Sequence, residues 1–220
     1  MRIPSKEECY TLMCEMGMLP NIVAHSLQVC RVATFLVDHM SDRVLLDRGL
    51  VQSSALLHDI TKTRSLKTGE VHALTGADLI HDMGYPDVAY IIGQHVILDE
   101  ISAVDIPAEV EIVNYADKRV LHDRVVSLEE RKDYILQRYV KNPGDMERIS
   151  RNWLKAKALE KKIFGFLPFA PEDLDRLLLS HNLSVEMQKY HNVCTRIFNG
   201  ESRRAISFDG FASGGVDSQT

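Results

Sequence analysis

Six histidine and aspartate residues between positions 25 and 117 could do chemistry, because each is of a metal-ligand type and lies among apolar neighbours. They are His25, His58, Asp59, His72, His95 and Asp117. His58 and Asp59 directly follow Ala55-Leu56-Leu57, so two polar side chains emerge from an apolar stem. Imidazole nitrogens combined with carboxylates suit iron, manganese, zinc or cobalt better than magnesium or calcium, which prefer oxygen ligands. Six ligands are too many for one catalytic metal with an open position, and are about right for two.

The segments that carry these side chains have the apolar spacing of α-helices. Helices are predicted from about Ser5 to Gly17, from Pro20 through Val37, from Asp47 to Ile60, from Glu70 to Met83, from Pro86 to Val96, from Pro107 past Asp117, over 128–141 and 145–163, from Pro171, and over 184–198. No run of alternating β-branched residues indicates a strand. We therefore expect an all-α protein in which five helices each offer a ligand-type side chain to a common interior.

The words around these residues are also informative. His25 lies in Ala-His-Ser-Leu-Gln-Val, the doublet lies in Ala-Leu-Leu-His-Asp-Ile-Thr-Lys, and Asp117 ends Tyr-Ala-Asp. Over residues 20–122, about half the chain, this ordered set resembles the HD-domain (HDIG-type) metal-dependent phosphohydrolases. The resemblance implies an HD-type helical bundle with additional C-terminal helices, and the pattern is most similar to the two-metal branch that splits dinucleoside tetraphosphates.

The same resemblance implies how the ligands are shared. Asp59 would bridge two metals, His25, His58 and Asp117 would complete one, and His72 with His95 the other. Members with one metal lack the two middle histidines. Iron or manganese is the expected metal, with zinc, cobalt and nickel as alternatives. The nucleophile would be a metal-bridging hydroxide, since a pair of cations lowers the pKa of a shared water.

A basic segment, Thr61–Gly69, follows the doublet in a chain that is acidic overall. Lys62 stands where related enzymes place a lysine near the scissile phosphate. Arg64 could assist by binding two phosphate oxygens through its guanidinium. The alternative is a solvated basic loop. Lys118 and Arg119 follow the distal aspartate, and for them we expect a surface role at least as much as a contact with phosphate. Four further basic residues could line one side of a long helix and contact a nucleotide or nucleic acid, but the acidic residues among them favour a solvated face. They are Arg148, Arg151, Lys155 and Lys162.

The function expected is hydrolysis of a phosphoester or phosphoanhydride bond in a nucleotide such as a dinucleoside polyphosphate. The alternatives are a nucleotide monophosphatase, a cyclic-nucleotide phosphodiesterase, or a non-catalytic nucleotide or metal sensor. Gly84-Tyr85-Pro86 spells a tripeptide of cyclic-di-GMP phosphodiesterases, but it lies between His72 and His95 and is typical of a helix stop followed by a helix start.

Charge and length bound the remaining possibilities. Lys plus Arg is 26 and Asp plus Glu is 31, a net charge of −5, which argues against a protein that grips duplex nucleic acid. No apolar run approaches a membrane span or a signal peptide, so we expect a cytoplasmic protein with no membrane partner. A homodimer is left open. We expect residues 1–125 to form the helical core, 126–199 a C-terminal helical extension packed on it, and 200–220 a mobile tail.

Overall fold

The chain folds into an all-α structure, as the sequence predicts. The computed structural model describes residues 2–179 and 183–200, so the predicted tail lies almost wholly outside the described residues. The only sheet in these ranges is a two-residue antiparallel pair, in which Val120 pairs with Val125. Among the helices described, none is both long and apolar enough to cross a bilayer.

The first seven helices carry the candidate ligands or adjoin them. Their bounds are Lys6–Glu15 (α1), Pro20–Asp38 (α2), Arg48–Leu57 (α3), Lys62–Thr68 (α4), His72–Asp82 (α5), Pro86–Gly93 (α6) and Glu109–Lys118 (α7). The hairpin follows as Val120–Leu121 (β1) and Arg124–Val125 (β2). Then come Leu128–Tyr139 (α8), Pro143–Phe164 (α9), a 3-10 turn at Pro171–Asp173, Leu174–Leu178 (α10) and Leu183–Phe198 (α11).

Local sequence explains most helix ends. Ser5 caps α1 through a reciprocal pair of hydrogen bonds with Glu8, which satisfies donors that a helix start leaves free. Asp47 caps α3 by accepting from the backbone N–H of Leu50. Gly69 ends α4 at a φ of 75°, a left-handed conformation that favours glycine.

Two local features differ from what the sequence predicts. The basic segment after the doublet, for which a solvated loop is the alternative interpretation, forms α4. The hairpin is not predicted, since two-residue strands carry no period. Helix α9 follows α8 as predicted and begins at Pro143, because proline is tolerated in a first turn and Asn142 caps it.

The core is built around α2 and α3, which pack against each other and against α7. Helix α6 packs on α3, α5 and α7. Later in the chain, α9 packs on α7 and α8, while α11 packs on α1 and α2. Apolar side chains such as Val32, Leu56 and Ile112 are fully buried between these helices. The ends of α3, α6 and α7 are thereby held close together.

Candidate metal centre

The six predicted ligands lie together and are placed by five helices or helix ends. His25 lies within α2, and His58 with Asp59 directly follows α3. His72 is the first residue of α5, His95 lies just beyond α6, and Asp117 lies in the last turn of α7. Helix ends leave backbone groups unpaired, and these can orient a neighbouring side chain.

One group of donor atoms comprises His25, His58 and Asp117, which lie within 4.8 Å of one another. The Nε2 atom of His25 is 3.0 Å from Oδ1 of Asp117. The Nε2 atom of His58 is 3.7 Å from the same oxygen. This is the set that the family resemblance implies for the first metal.

A second group surrounds Asp59. Its Oδ2 lies 3.6 Å from Nε2 of His58, and its Oδ1 lies 3.5 Å from Nε2 of His95. The Nε2 atom of His72 is 3.1 Å from that Oδ1 and 3.2 Å from Nε2 of His95. The two oxygens of Asp59 therefore face different histidines. His58, Asp59 and His95 form a second set within 4.8 Å, so His58 belongs to both groups.

Backbone carbonyls determine the tautomers of three histidines. Nδ1 of His58 donates to Ala55 O at 2.8 Å, and Nδ1 of His95 donates to Ile92 O at 2.7 Å. Nδ1 of His25 donates to His122 O at 2.9 Å. Because a carbonyl can only accept, each Nδ1 carries a proton, and Nε2 is the nitrogen of each ring that faces the carboxylates and would be available to a metal ion.

The hairpin has a role here that the sequence did not reveal. His122, with a φ of 58°, lies in the turn between β1 and β2, and its carbonyl orients the ring of His25. No sequence pattern assigns His122 this role, because the contribution comes from its backbone carbonyl. The side chain of His122 instead packs edge-on against Tyr134.

The residues present fit a transition-metal site. Nε2 of His58 is buried and makes no hydrogen bond within the described chain, which is costly for a polar atom unless a ligand occupies its lone pair. Ligands about 2.1 Å from one ion at right angles would lie about 3.0 Å apart, close to the separations seen here. Nitrogen and carboxylate donors in this mixture suit late first-row ions and manganese.

Burial and charge set the protonation states in the cluster. Burial lowers the pKa of His58 to about 4, so its ring is neutral at pH 7. Burial alone would raise the pKa of Asp59, but the charge that His58 carries in the acid range where Asp59 titrates, together with hydrogen bonds from His72 and His95, holds it well below its usual range. For Asp117, burial is likewise outweighed by the hydrogen bond from His25 and the positive charge of Arg131. Both carboxylates are therefore ionised.

The two predicted phosphate-binding residues have different surroundings. The Nζ atom of Lys62 is 3.4 Å from Oδ1 of Asp59 and 3.2 Å from Nε2 of His72, beside the cluster. Arg64 instead points away, and its Nε donates to Glu70 at 2.7 Å on the exposed side of α4. The structure therefore brings Lys62 to the cluster and does not bring Arg64 there.

Lys118 and Arg119 are buried, so their interpretation as surface residues was wrong. The Nζ atom of Lys118 donates to Asn114 Oδ1 at 2.8 Å and to the carbonyl of His95 at 3.2 Å. Arg119 donates to the carbonyls of Val126 and Pro171. Asn114 and Lys118 lie four residues apart on α7, a spacing at which two side chains can hydrogen-bond, and this spacing is the sequence feature that could have indicated their contact.

The cluster forms part of the wall of a cavity of about 420 Å³. Helices α8 and α9 supply much of the remaining wall, through residues that include Arg131, Tyr139, Arg148 and Trp153. Arg148 was read as part of a solvated face, and so was Lys162, which pairs with Glu111 at 2.8 Å. The interpretation as a solvated face fits Arg151 and Arg148, which are both exposed, although Arg148 also lines the cavity; it does not fit Lys162.

Comparisons with known proteins agree with this geometry. Residues 22–120 match a family model described as HD domain. A tRNA (cytidine(56)-2'-O)-methyltransferase of Picrophilus torridus is 29% identical over 145 residues, covering 60% of this chain and 40% of that protein. Ribonuclease Y of Mycoplasma genitalium is 36% identical over 76 residues, covering 34% of this chain and 15% of that protein. The chain thus spans less than half of each relative.

No solved structure matches the chain significantly. The dinucleoside tetraphosphate hydrolase branch stays a prediction, because neither relative carries that name. Residues 22–120 are thus similar to the HD domain, and the helical fold and the clustered donor atoms agree with that similarity.

Proposed function

We propose that the protein hydrolyses a phosphoester or phosphoanhydride bond of a nucleotide, using two divalent transition-metal ions. The observation that carries the proposal is the pair of donor groups, which share His58 and whose other members all line one cavity. Iron and manganese are the ions we favour, since both accept imidazole and carboxylate ligands. Bound there, such ions would activate a water molecule and polarise the phosphoryl group.

The protein's own residues prepare this chemistry before any substrate arrives. His25, His58 and His95 are held in orientation by backbone carbonyls, which avoids reorganisation when a ligand binds. Asp59 and Asp117 are ionised and nearly excluded from water, so they attract cations strongly. Each acidic group is balanced in part by hydrogen bonds from histidine.

Lys62 is the residue we propose for contact with the scissile phosphate. About a third of its side chain is exposed, so the ammonium can reach a ligand in the cavity while it lies beside Asp59. A fixed positive charge at this place would stabilise the negative charge that grows on the phosphoryl oxygens during attack. Arg64 is not part of this proposal, because Glu70 holds it elsewhere.

Both relatives are named for actions on RNA, so a single-stranded RNA end is the second candidate substrate. The net charge of −5 and a cavity of about 420 Å³ favour a small nucleotide over a long polyanion. A non-catalytic sensor is the candidate from another class. It would bind metal and nucleotide without turnover.

A substrate panel with protein reconstituted in manganese or iron tests the proposal. The panel contains bis-p-nitrophenyl phosphate, AMP, a cyclic nucleotide, a dinucleoside tetraphosphate and a short single-stranded oligoribonucleotide. We expect metal-dependent hydrolysis of at least one nucleotide, and loss of activity in Asp59→Asn, which keeps the side-chain shape. Asp82→Asn, an exposed aspartate on α5, is the control.

Preference for the oligoribonucleotide over every small nucleotide would replace the first candidate with the second. Metal and nucleotide binding without turnover of any compound would favour the sensor. Activity that survives Asp59→Asn unchanged would contradict the assignment of the cluster as the active site.

A further inference from the structure

Helices α8 and α9 form a wall of the cavity whose residues were not assigned a function from the sequence. On α8 the lining residues recur every four positions, which places them on one face of the helix. They are Arg131, Ile135 and Tyr139. On α9 the lining residues are Arg148, Ile149, Asn152 and Trp153. The C-terminal helices therefore present two arginines to the cavity that holds the donor cluster.

The cations around the cavity differ in how fully their donors are used. The Lys118 ammonium donates hydrogen bonds to the backbone carbonyls of Asn114 and His95 and to the side chain of Asn114. With its donors used in this way, Lys118 holds the structure together and is not available to a ligand. The Nε of Arg131, by contrast, is buried and has no hydrogen-bond partner within the described residues. Arg148 makes only a loose ion pair, 3.5 Å from Asp145, and its side chain is exposed.

Arg131 lies near the donor cluster, since its positive charge acts on both Asp117 and His25. A guanidinium in this position matches the geometry of phosphate oxygens, which it can bind with two parallel hydrogen bonds. Lys62 already provides a cation for the scissile phosphate. Two further arginines at the same cavity provide more positive charge than one phosphate needs.

The rim of the cavity is apolar. Leu66, Val96 and Tyr139 line it, and 66%, 40% and 51% of their respective surfaces are exposed. Exposed apolar side chains grouped at a concave site indicate a ligand with an apolar part. A nucleobase is flat and largely apolar on its faces, and Tyr139 offers a ring on which it can stack.

We infer that Arg131 and Arg148 bind a second, non-scissile phosphate, so that the substrate is a nucleoside diphosphate or polyphosphate. The inference rests on the proposed function and narrows its substrate class. Helices α8 and α9 would then select substrates by their number of phosphates. Arg131 would make the main contact with the second phosphate, because its Nε is buried and has no hydrogen-bond partner among the described residues.

Binding of ADP and AMP to metal-free protein tests this inference without any need for turnover. Trp153 is the single tryptophan of the chain and lines the cavity, so its fluorescence reports on occupancy. We expect ADP to bind at least about tenfold more tightly than AMP, the factor that one charge-assisted hydrogen bond provides. Arg131→Gln should remove this preference, and Arg148→Gln should reduce it.

Matched controls exist on the same helices. Arg138 on α8 and Arg151 on α9 are exposed and do not line the cavity, so Arg138→Gln and Arg151→Gln should leave the preference for ADP unchanged. Thermal unfolding of all four variants shows whether a change in binding reflects a change in folding. Equal binding of ADP and AMP by the wild type, or no binding of ADP, would overturn the inference.

The binding experiment can fail or succeed independently of the test for hydrolysis. Selective ADP binding by a protein that hydrolyses nothing would support the phosphate subsite and contradict the hydrolase. Hydrolysis of a generic diester by a protein that binds ADP and AMP equally would support the hydrolase and contradict the subsite. An equal loss of the preference in Arg131→Gln and Arg138→Gln would also contradict it.

Discussion

Lys62 and Arg64 lie two residues apart on α4, yet their surroundings assign them different roles. Lys62 contacts Asp59 and His72 at the cavity, whereas Arg64 is tied to Glu70 outside it. From the sequence, both residues are predicted to contact phosphate, because a sequence shows charge and spacing but not the direction in which a side chain points. In a helix, residues at i and i+2 point to different sides.

The first prediction compares these two residues. Lys62→Met should lower kcat for the best substrate by about 10²-fold, the usual effect of removing one donor that stabilises transition-state charge. Arg64→Gln should change kcat by less than about twofold, since it removes only an exposed ion pair. Steady-state kinetics on both variants checks this, and equal losses would show that Arg64 reaches the substrate after all.

Helix α9 is anchored to the first part of the chain by a buried ion pair. The Glu111 carboxylate, 1% exposed, accepts hydrogen bonds from Lys162 and from the backbone N–H groups of Ser102 and Ala108. It therefore fixes the start of α7 and the loop before it. Asp117 lies at the other end of α7, so this anchor contributes to the position of a metal ligand.

The second prediction concerns this anchor. Lys162→Met leaves the Glu111 carboxylate buried without its cation, which should lower the free energy of unfolding by about 3 kcal/mol. Lys161→Met, an exposed neighbour, should change it by less than about 0.5 kcal/mol. Urea unfolding measures both. A small effect of Lys162→Met would mean that water reaches Glu111 in the folded protein.

An element could be predicted when its residues form a capping pattern or an apolar period, and was missed when they form neither. Helix α1 was predicted because Ser5 and Glu8 form a local capping pattern, and α2 because Pro20 precedes a long apolar stripe. Helix α4 was missed because it has no buried residues and hence no apolar period. The turn at His122 was missed because its contribution is a backbone carbonyl, which every residue type shares.

At the scale of the whole molecule, α11 brings the far end of the described chain back to α1. Glu186 on α11 accepts a hydrogen bond from Tyr10 at 2.7 Å and pairs with Lys6 and Lys189. Burial alone would raise the pKa of Glu186, but hydrogen bonds from Lys189, Lys6 and Tyr10 lower it to about 2. This contact joins residues 176 positions apart.

The third prediction is the pH dependence of this contact. A carboxyl group whose pKa falls from 4.5 to about 2 on folding stabilises the folded state above pH 4.5, and that contribution disappears as the pH falls towards 2. Glu186→Gln should cost about 1–2 kcal/mol at neutral pH, allowing for partial solvent exposure. The difference from wild type should shrink below pH 4.5 in thermal unfolding. A constant difference would contradict the assignment.

The donor set as a whole could be recognised from the sequence, because His58, Asp59 and their companions keep a fixed order along apolar helices. Their distances and tautomers could not, since these depend on how α2, α3, α6 and α7 pack. The contribution of α8 and α9 to the cavity was also beyond the sequence. Arg131 and Arg148 are spaced like residues of any solvated helix until the fold places them at one cavity.

The central claim is that the cluster binds divalent transition-metal ions, and elemental analysis of protein purified without chelator tests it most directly. We predict about two equivalents of iron or manganese per chain in the wild type and in Asp82→Asn, and loss of at least one equivalent in Asp59→Asn. Wild-type protein without metal even after reconstitution, or an Asp59→Asn variant with unchanged content, would contradict the account.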